Sequence, residues 1–138
     1  MHHKKYFIIY LITLVVFLAI DAVWLGVVAA GLYQTYLSGF IGGAANLLAA
    51  GLFYLLYPVG VLHFAVIEAL MEGSASKAFI SGALFGLFAY ATYELTNWAT
   101  LPGWPVIIVA VDIAWGTVLT GCTAAIATTL GLRWVFKK

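Results

Sequence analysis

With 138 residues, 65% of them hydrophobic and only 8% charged, the chain is a single domain by length and lies far from the roughly one-quarter charged composition of a soluble domain. Its net charge of +1 comes from basic residues gathered at the two ends, His2, His3, Lys4 and Lys5 at one and Arg133, Lys137 and Lys138 at the other, with Lys77 alone between them. That distribution offers no basic patch for nucleic acid, and the single Cys122 excludes both an internal disulfide and a thiolate metal centre.

Four apolar windows reach the roughly 20 residues needed to cross about 30 Å of hydrocarbon. The first, near Tyr6 to Leu32, carries the run Asp21-Ala22-Val23-Trp24. It exceeds the length of a signal-peptide core, and Val28-Ala29-Ala30 is a poor cleavage site, so it reads as an uncleaved helix. The following stretch from Tyr33 to Phe40 alternates aromatic and small polar residues and reads as an interfacial anchor. The second window, Ala44 to Leu70, contains Asn46, Tyr57 and His63, and its Pro58 removes the hydrogen bond to the carbonyl of Tyr54. A short polar connection from Glu72 to Lys77 follows, with Ser76 as the expected helix cap.

The third window, Ala78 to Asn97, holds the G-x-x-x-G pair Gly82 and Gly86, then Tyr90, Glu94 and Asn97. In Thr100-Leu101-Pro102-Gly103-Trp104-Pro105 the Pro-Gly step suits a type II turn and Pro105 suits a helix start, so the third and fourth windows form an antiparallel hairpin. The fourth, Pro105 to Leu132, carries a second acid-and-indole run, Asp112-Ile113-Ala114-Trp115, and a Gly116/Thr120 small-residue pair. Small residues four apart permit close backbone approach on both helices.

The expected architecture is an all-α membrane protein, a four-transmembrane-helix bundle forming one integral domain over residues 1–138. Basic residues at the ends and at Lys77 place both termini on the cytoplasmic side by the positive-inside rule. At 1.5 Å per residue, Asp21 then lies about 13 Å below the outer surface, Asp112 about 12 Å and Glu94 about 6 Å, whereas His63 is roughly 28 Å down the second helix. The three acids share the outer half of the membrane and the histidine does not.

Helical periodicity places Glu94 in line with Ala83, Leu87, Tyr90 and Asn97, and Asp112 in line with Ile108, Gly116, Leu119 and Thr123. Asn46 aligns with Ala50, Phe53 and Tyr57. The expected site therefore has Asp21, Glu94 and Asp112 as acid–base groups. Asn46, Tyr57, Tyr90 and Asn97 would contact substrate, with Trp24 and Trp115 as walls. Tyr90 and Asn97 are spaced to hydrogen-bond Glu94 along its own helix, and each of those two tryptophans is three residues from an aspartate and placed to meet it or a cation. Trp98, Trp104 and Trp134 read as interfacial belt residues, and Glu68, Glu72 and Lys77 as a solvated rim.

No lysine or arginine occurs within these four windows, so three ionised carboxylates at one depth would face one another uncompensated. Desolvation and mutual repulsion both penalise that state, and coupled acids titrate as a set. Protons, an oxygen-liganded metal or sodium ion, or a cationic ligand must balance the site. Without imidazole or thiolate among the acids, no transition-metal centre and no cofactor is expected, and no phosphate-binding loop, serine-histidine-acid set or H-E-x-x-H zinc motif occurs.

The runs IDAVWLG ending at Gly26, LFYLLYPVG from Leu52 to Gly60, GALFGLFAYATYELTNWATLPGWP from Gly82 to Pro105 and VDIAWGTVLTG from Val111 to Gly121 resemble the small bacterial membrane proteins grouped as domain-of-unknown-function family 2177. The resemblance covers most of the chain. It implies the four-helix character and a bacterial inner (cytoplasmic) membrane location, and carries no activity with it. Three functions fit the residues. One is a membrane-embedded site that binds or transforms a lipid-like substrate from the outer leaflet by carboxyl acid–base chemistry, as in isomerisation, cyclisation or hydrolysis. The second is a proton-coupled carrier of a small cation, which needs a homodimer because four helices are too few to enclose a path. The third is a non-catalytic assembly scaffold in which the acids only specify packing. Membrane lipids are the expected partners, with a homodimer possible and no nucleic acid expected.

Overall fold

The computed structural model describes residues 2–137. Helix α1 spans His2–Val28, α2 spans Ala30–Leu37, α3 spans Leu47–Glu72, α4 spans Ala75–Thr100 and α5 spans Val106–Val135. No strand occurs among the described residues. All but the short α2 are long and apolar enough to cross a membrane. Large apolar side chains such as Phe7, Leu47, Leu48, Phe88 and Val106 point outward from the bundle, an arrangement matched to lipid rather than water.

The first helix ends sooner than the hydropathy predicts. Residues Trp24–Val28 form a widened π-helical turn, closed by the Ala29 N–H on the Trp24 carbonyl at 2.8 Å, and the chain then turns into α2. Composition hides this break because Val27 to Leu32 remains almost wholly apolar across it. Ser74, not Ser76, caps α4, its Oγ accepting the Lys77 N–H at 3.2 Å. Gly73 ends α3 at φ +68°, and Gly103 at φ +80° supplies the left-handed residue that the predicted turn requires.

The α4–α5 hairpin is the most extensive helix pairing. Gly82 and Gly86 of α4 lie against Gly116, Thr120 and Gly121 of α5, so the two predicted small-residue faces meet each other. A methyl group on Gly82 would sit 2.7 Å from the Thr120 carbonyl, and one on Gly86 would sit 2.6 Å from the Thr120 hydroxyl. Toward the ends that carry the basic residues, Ile9, Val61, Val66, Ala69, Ala78 and Ala127 form a dry core. There the Lys5 ammonium lies 5.2 Å from the Phe136 ring centroid, and Lys77 bridges Glu68 and Glu72 at the surface, as the rim assignment predicts.

At the opposite end a smaller core of Leu37, Trp104, Ile108 and Val109 packs α2 and the α4–α5 turn together. The first half of α3 rests on α1, and its backbone comes close to α4 and α5 mainly from Leu62 onward. Above that level α3 and α4 diverge, leaving a side opening bridged by aromatic rings. Phe17, Tyr57 and Phe85 are in ring contact in series across the bundle at this depth.

Candidate functional site

Helices α1 and α5 pack side by side and run in opposite directions. With the same acid-x-x-indole spacing on each, antiparallel register sets position 21 opposite 115 and position 24 opposite 112. The two indoles stack, with centroids 4.3 Å apart and planes 8° from parallel. Trp115 donates its indole N–H to Asp21 Oδ1 at 3.2 Å. Trp24 donates to the Tyr33 hydroxyl at 3.2 Å, and that hydroxyl donates to Asp112 Oδ1 at 2.8 Å. Trp115 thus serves the acid of the other run directly and Trp24 reaches the other run's acid only through Tyr33, so the expected three-residue pairing within each run gives way to a crossed arrangement.

Asp21 has a second donor, the Tyr54 hydroxyl of α3 at 2.7 Å. Glu94 is almost wholly enclosed, 1% exposed, and accepts the Trp104 indole N–H on Oε2 at 2.8 Å. Glu94 and Asp112 line the same cavity. Trp104, expected in the interfacial belt, is 7% exposed and belongs to the site, because the tight turn folds its ring back over the bundle end. Trp98 and Trp134 are exposed as belt residues would be.

These groups line a cavity of about 220 Å³ that all three acids share with Trp24, Trp115, Tyr54 and Tyr90. Beside it lies a more apolar cavity of about 520 Å³, walled by Phe53, Tyr57 and Ala89. Tyr90, Tyr93 and Asp112 line both and form the boundary between them. The Tyr90 ring occupies the space over Gly116, where any side chain would collide with it. Among the described residues no lysine, arginine or histidine lines either cavity, and no three acidic, histidine or cysteine side chains are placed to hold one metal ion.

Of the residues singled out in the sequence, Asp21, Trp24, Tyr90, Glu94, Asp112 and Trp115 come together around the smaller cavity. Tyr57 lies one level deeper, where it lines the aromatic cavity and its hydroxyl is 2.7 Å from that of Thr120. Asn46 lies elsewhere. It is exposed and caps α3, its Oδ1 accepting the Ala49 N–H at 3.1 Å, because the helix begins just after it rather than before it. Asn97 is half-buried and lines neither cavity, and Glu94 takes its donor from Trp104 rather than from the residues three and four positions away. His63 is exposed and packs its edge on Phe64, away from the acids.

Sequence reasoning passed over Tyr33, Tyr54, Tyr93 and Trp104. Tyr33 was assigned to an anchor, yet α2 folds back so that its hydroxyl joins Trp24 to Asp112. Burial pushes the Tyr33 phenol above its usual range, and the neighbouring Asp112 carboxylate adds to this, so it remains a proton donor. Tyr54 is three residues from Tyr57 on the same helix, so only the rotation of α3 decides which of them reaches Asp21. No local signal separates Trp104 from a belt tryptophan.

Four membrane-competent helices and a cavity lined by carboxyl and aromatic side chains define a small integral membrane protein. The chain belongs to the family described as "Predicted membrane protein (DUF2177)", whose pattern matches residues 6–129. No curated protein and no solved structure matches it.

Proposed function

We propose that the protein binds and transforms a lipid-like substrate of the bacterial cytoplasmic membrane by carboxyl acid–base chemistry, with both termini in the cytoplasm and the acids in the outer half of the bilayer. The observation that carries this reading is the junction of the two cavities. The space holding Asp21, Glu94 and Asp112 adjoins a larger aromatic one where α3 and α4 diverge. A tail entering from the bilayer between α3 and α4 would bring its polar end to the acids without leaving hydrocarbon. Glu94 and Asp112 line the same cavity, each with one fixed donor, so that one can donate a proton to a substrate while the other accepts one. Asp21, held by two fixed donors, suits a carboxylate that stabilises positive charge.

The test is the lipid and isoprenoid profile of cells lacking the gene, complemented with wild type, Asp112→Asn or Glu94→Gln. The expected outcome is an altered profile that wild type restores and neither variant does. An unchanged profile in the deletion strain defeats the proposal. Labelling of single cysteines placed near Lys5, Gly42 and Lys77 tests the orientation, with Gly42 alone expected on the outer side.

A further inference from the structure

The smaller cavity combines three features that bear on the chemistry of what it holds. Three carboxyl groups line it and no basic side chain does. A phosphate, sulfate or carboxylate head would therefore enter a low-dielectric space already carrying its own sign of charge. Among the described residues the three acids are not placed to converge on one metal ion. That spacing suits a cation with the bulk of an organic group. Finally, the space between the acids is filled in by aromatic side chains, the stacked Trp24–Trp115 pair, Tyr54 and Tyr90 among them. Carboxylates interleaved with indole and phenol rings are the combination that attracts alkylammonium groups, through charge and through the negative faces of the rings.

The hydrogen bonds point the same way. Trp115 and Tyr54 together engage both oxygens of Asp21, whereas Asp112 and Glu94 have one fixed donor each. No basic side chain lines the cavity to balance these acids. The adjoining cavity of about 520 Å³, walled by Phe53, Tyr57 and Ala89, gives the same ligand a place for hydrocarbon.

We infer that the ligand of this site is an amphiphile with a cationic ammonium head and a hydrocarbon tail, its head among Asp21, Glu94 and Asp112 and its tail in the cavity between α3 and α4. This rests on the reading of the cavities as a site for a lipid-like molecule. The experiment uses the full chain in phosphatidylglycerol nanodiscs and three radiolabelled probes with the same tail: dodecyltrimethylammonium, dodecanol and dodecanoate. The ammonium probe is expected to bind saturably and at least about tenfold more tightly than the alcohol, and dodecanoate is expected not to bind. Asp21→Asn and Asp112→Asn should each weaken the ammonium probe by about tenfold or more, while Trp98→Phe, at an exposed ring outside the cavities, should leave it unchanged. Because the wild-type protein alone must discriminate among the three heads, a variant that fails to fold does not blunt the test. Equal or tighter binding of dodecanol or dodecanoate overturns the cationic head and leaves the lipid site standing. Saturable binding of none of the three overturns both. Ammonium binding that survives both aspartate replacements overturns its placement among the acids.

Discussion

Trp115 gives its indole N–H to Asp21, an acid 94 positions away on a helix running the other way, and not to Asp112 three residues before it on its own helix. The repeated acid-x-x-indole spacing makes sense only in that light. On two antiparallel neighbours, one spacing used twice yields two acid–indole oppositions and brings the indoles face to face between them. The opposite direction of the two helices, which would argue against a meaningful repeat in a linear reading, is what makes the repeat work.

The stacked indoles should be energetically coupled. Replacing Trp24 and Trp115 by leucine singly and together, and measuring unfolding in mixed micelles, is expected to return an interaction energy of about 0.5–1.5 kcal/mol beyond additivity. Additive losses would mean that the rings act independently.

The α4–α5 contact depends on having no side chain at Gly86. Gly86→Ala forces a methyl against the Thr120 hydroxyl and the Gly116 backbone, and is expected to cost about 1–3 kcal/mol. Gly51→Ala is the control, since nothing lies within 4 Å of the added methyl there. Thermal unfolding of the two variants side by side checks this, and equal melting temperatures would contradict the close approach.

Trp104 should matter through its N–H as well as its ring. Trp104→Phe keeps an aromatic ring in the small core with Leu37 and Ile108 but leaves Glu94 without its donor, at an expected cost of about 1–3 kcal/mol. Trp98→Phe, at a ring 52% exposed, should change stability by no more than about 0.5 kcal/mol. Comparing the two in one denaturation series separates a site residue from a belt residue.

Tyr33 holds α2 over the cavity by its bonds to Trp24 and Asp112. Tyr33→Phe removes both and should speed amide hydrogen exchange in residues 30–37 while exchange in α4 and α5 stays unchanged. Acceleration spread evenly through the bundle would indicate a general loss of stability instead of release of this one segment.

The amino-acid sequence by itself determined that the chain is a four-helix membrane bundle, that α4 and α5 form a glycine-faced hairpin and that three carboxyl groups fall in apolar stretches without a basic partner. Those properties are one-dimensional: window hydropathy, small residues four apart, and charge counted along each span. It also picked out six residues that meet at the cavity, because an acid in an apolar run is conspicuous wherever it falls. Only the tertiary structure decided which donor serves which acid. Asn46 dropped out because the start of α3 fell beside it, and Tyr54 took the place expected of Tyr57 through the rotation of that helix. Tyr33 and Trp104 entered because a short helix and a tight turn folded back over the bundle end. Each of these depends on the angle and register between helices, which residue spacing along a single helix does not encode, and the crossed pairing of Asp21 with Trp115 is the plainest case.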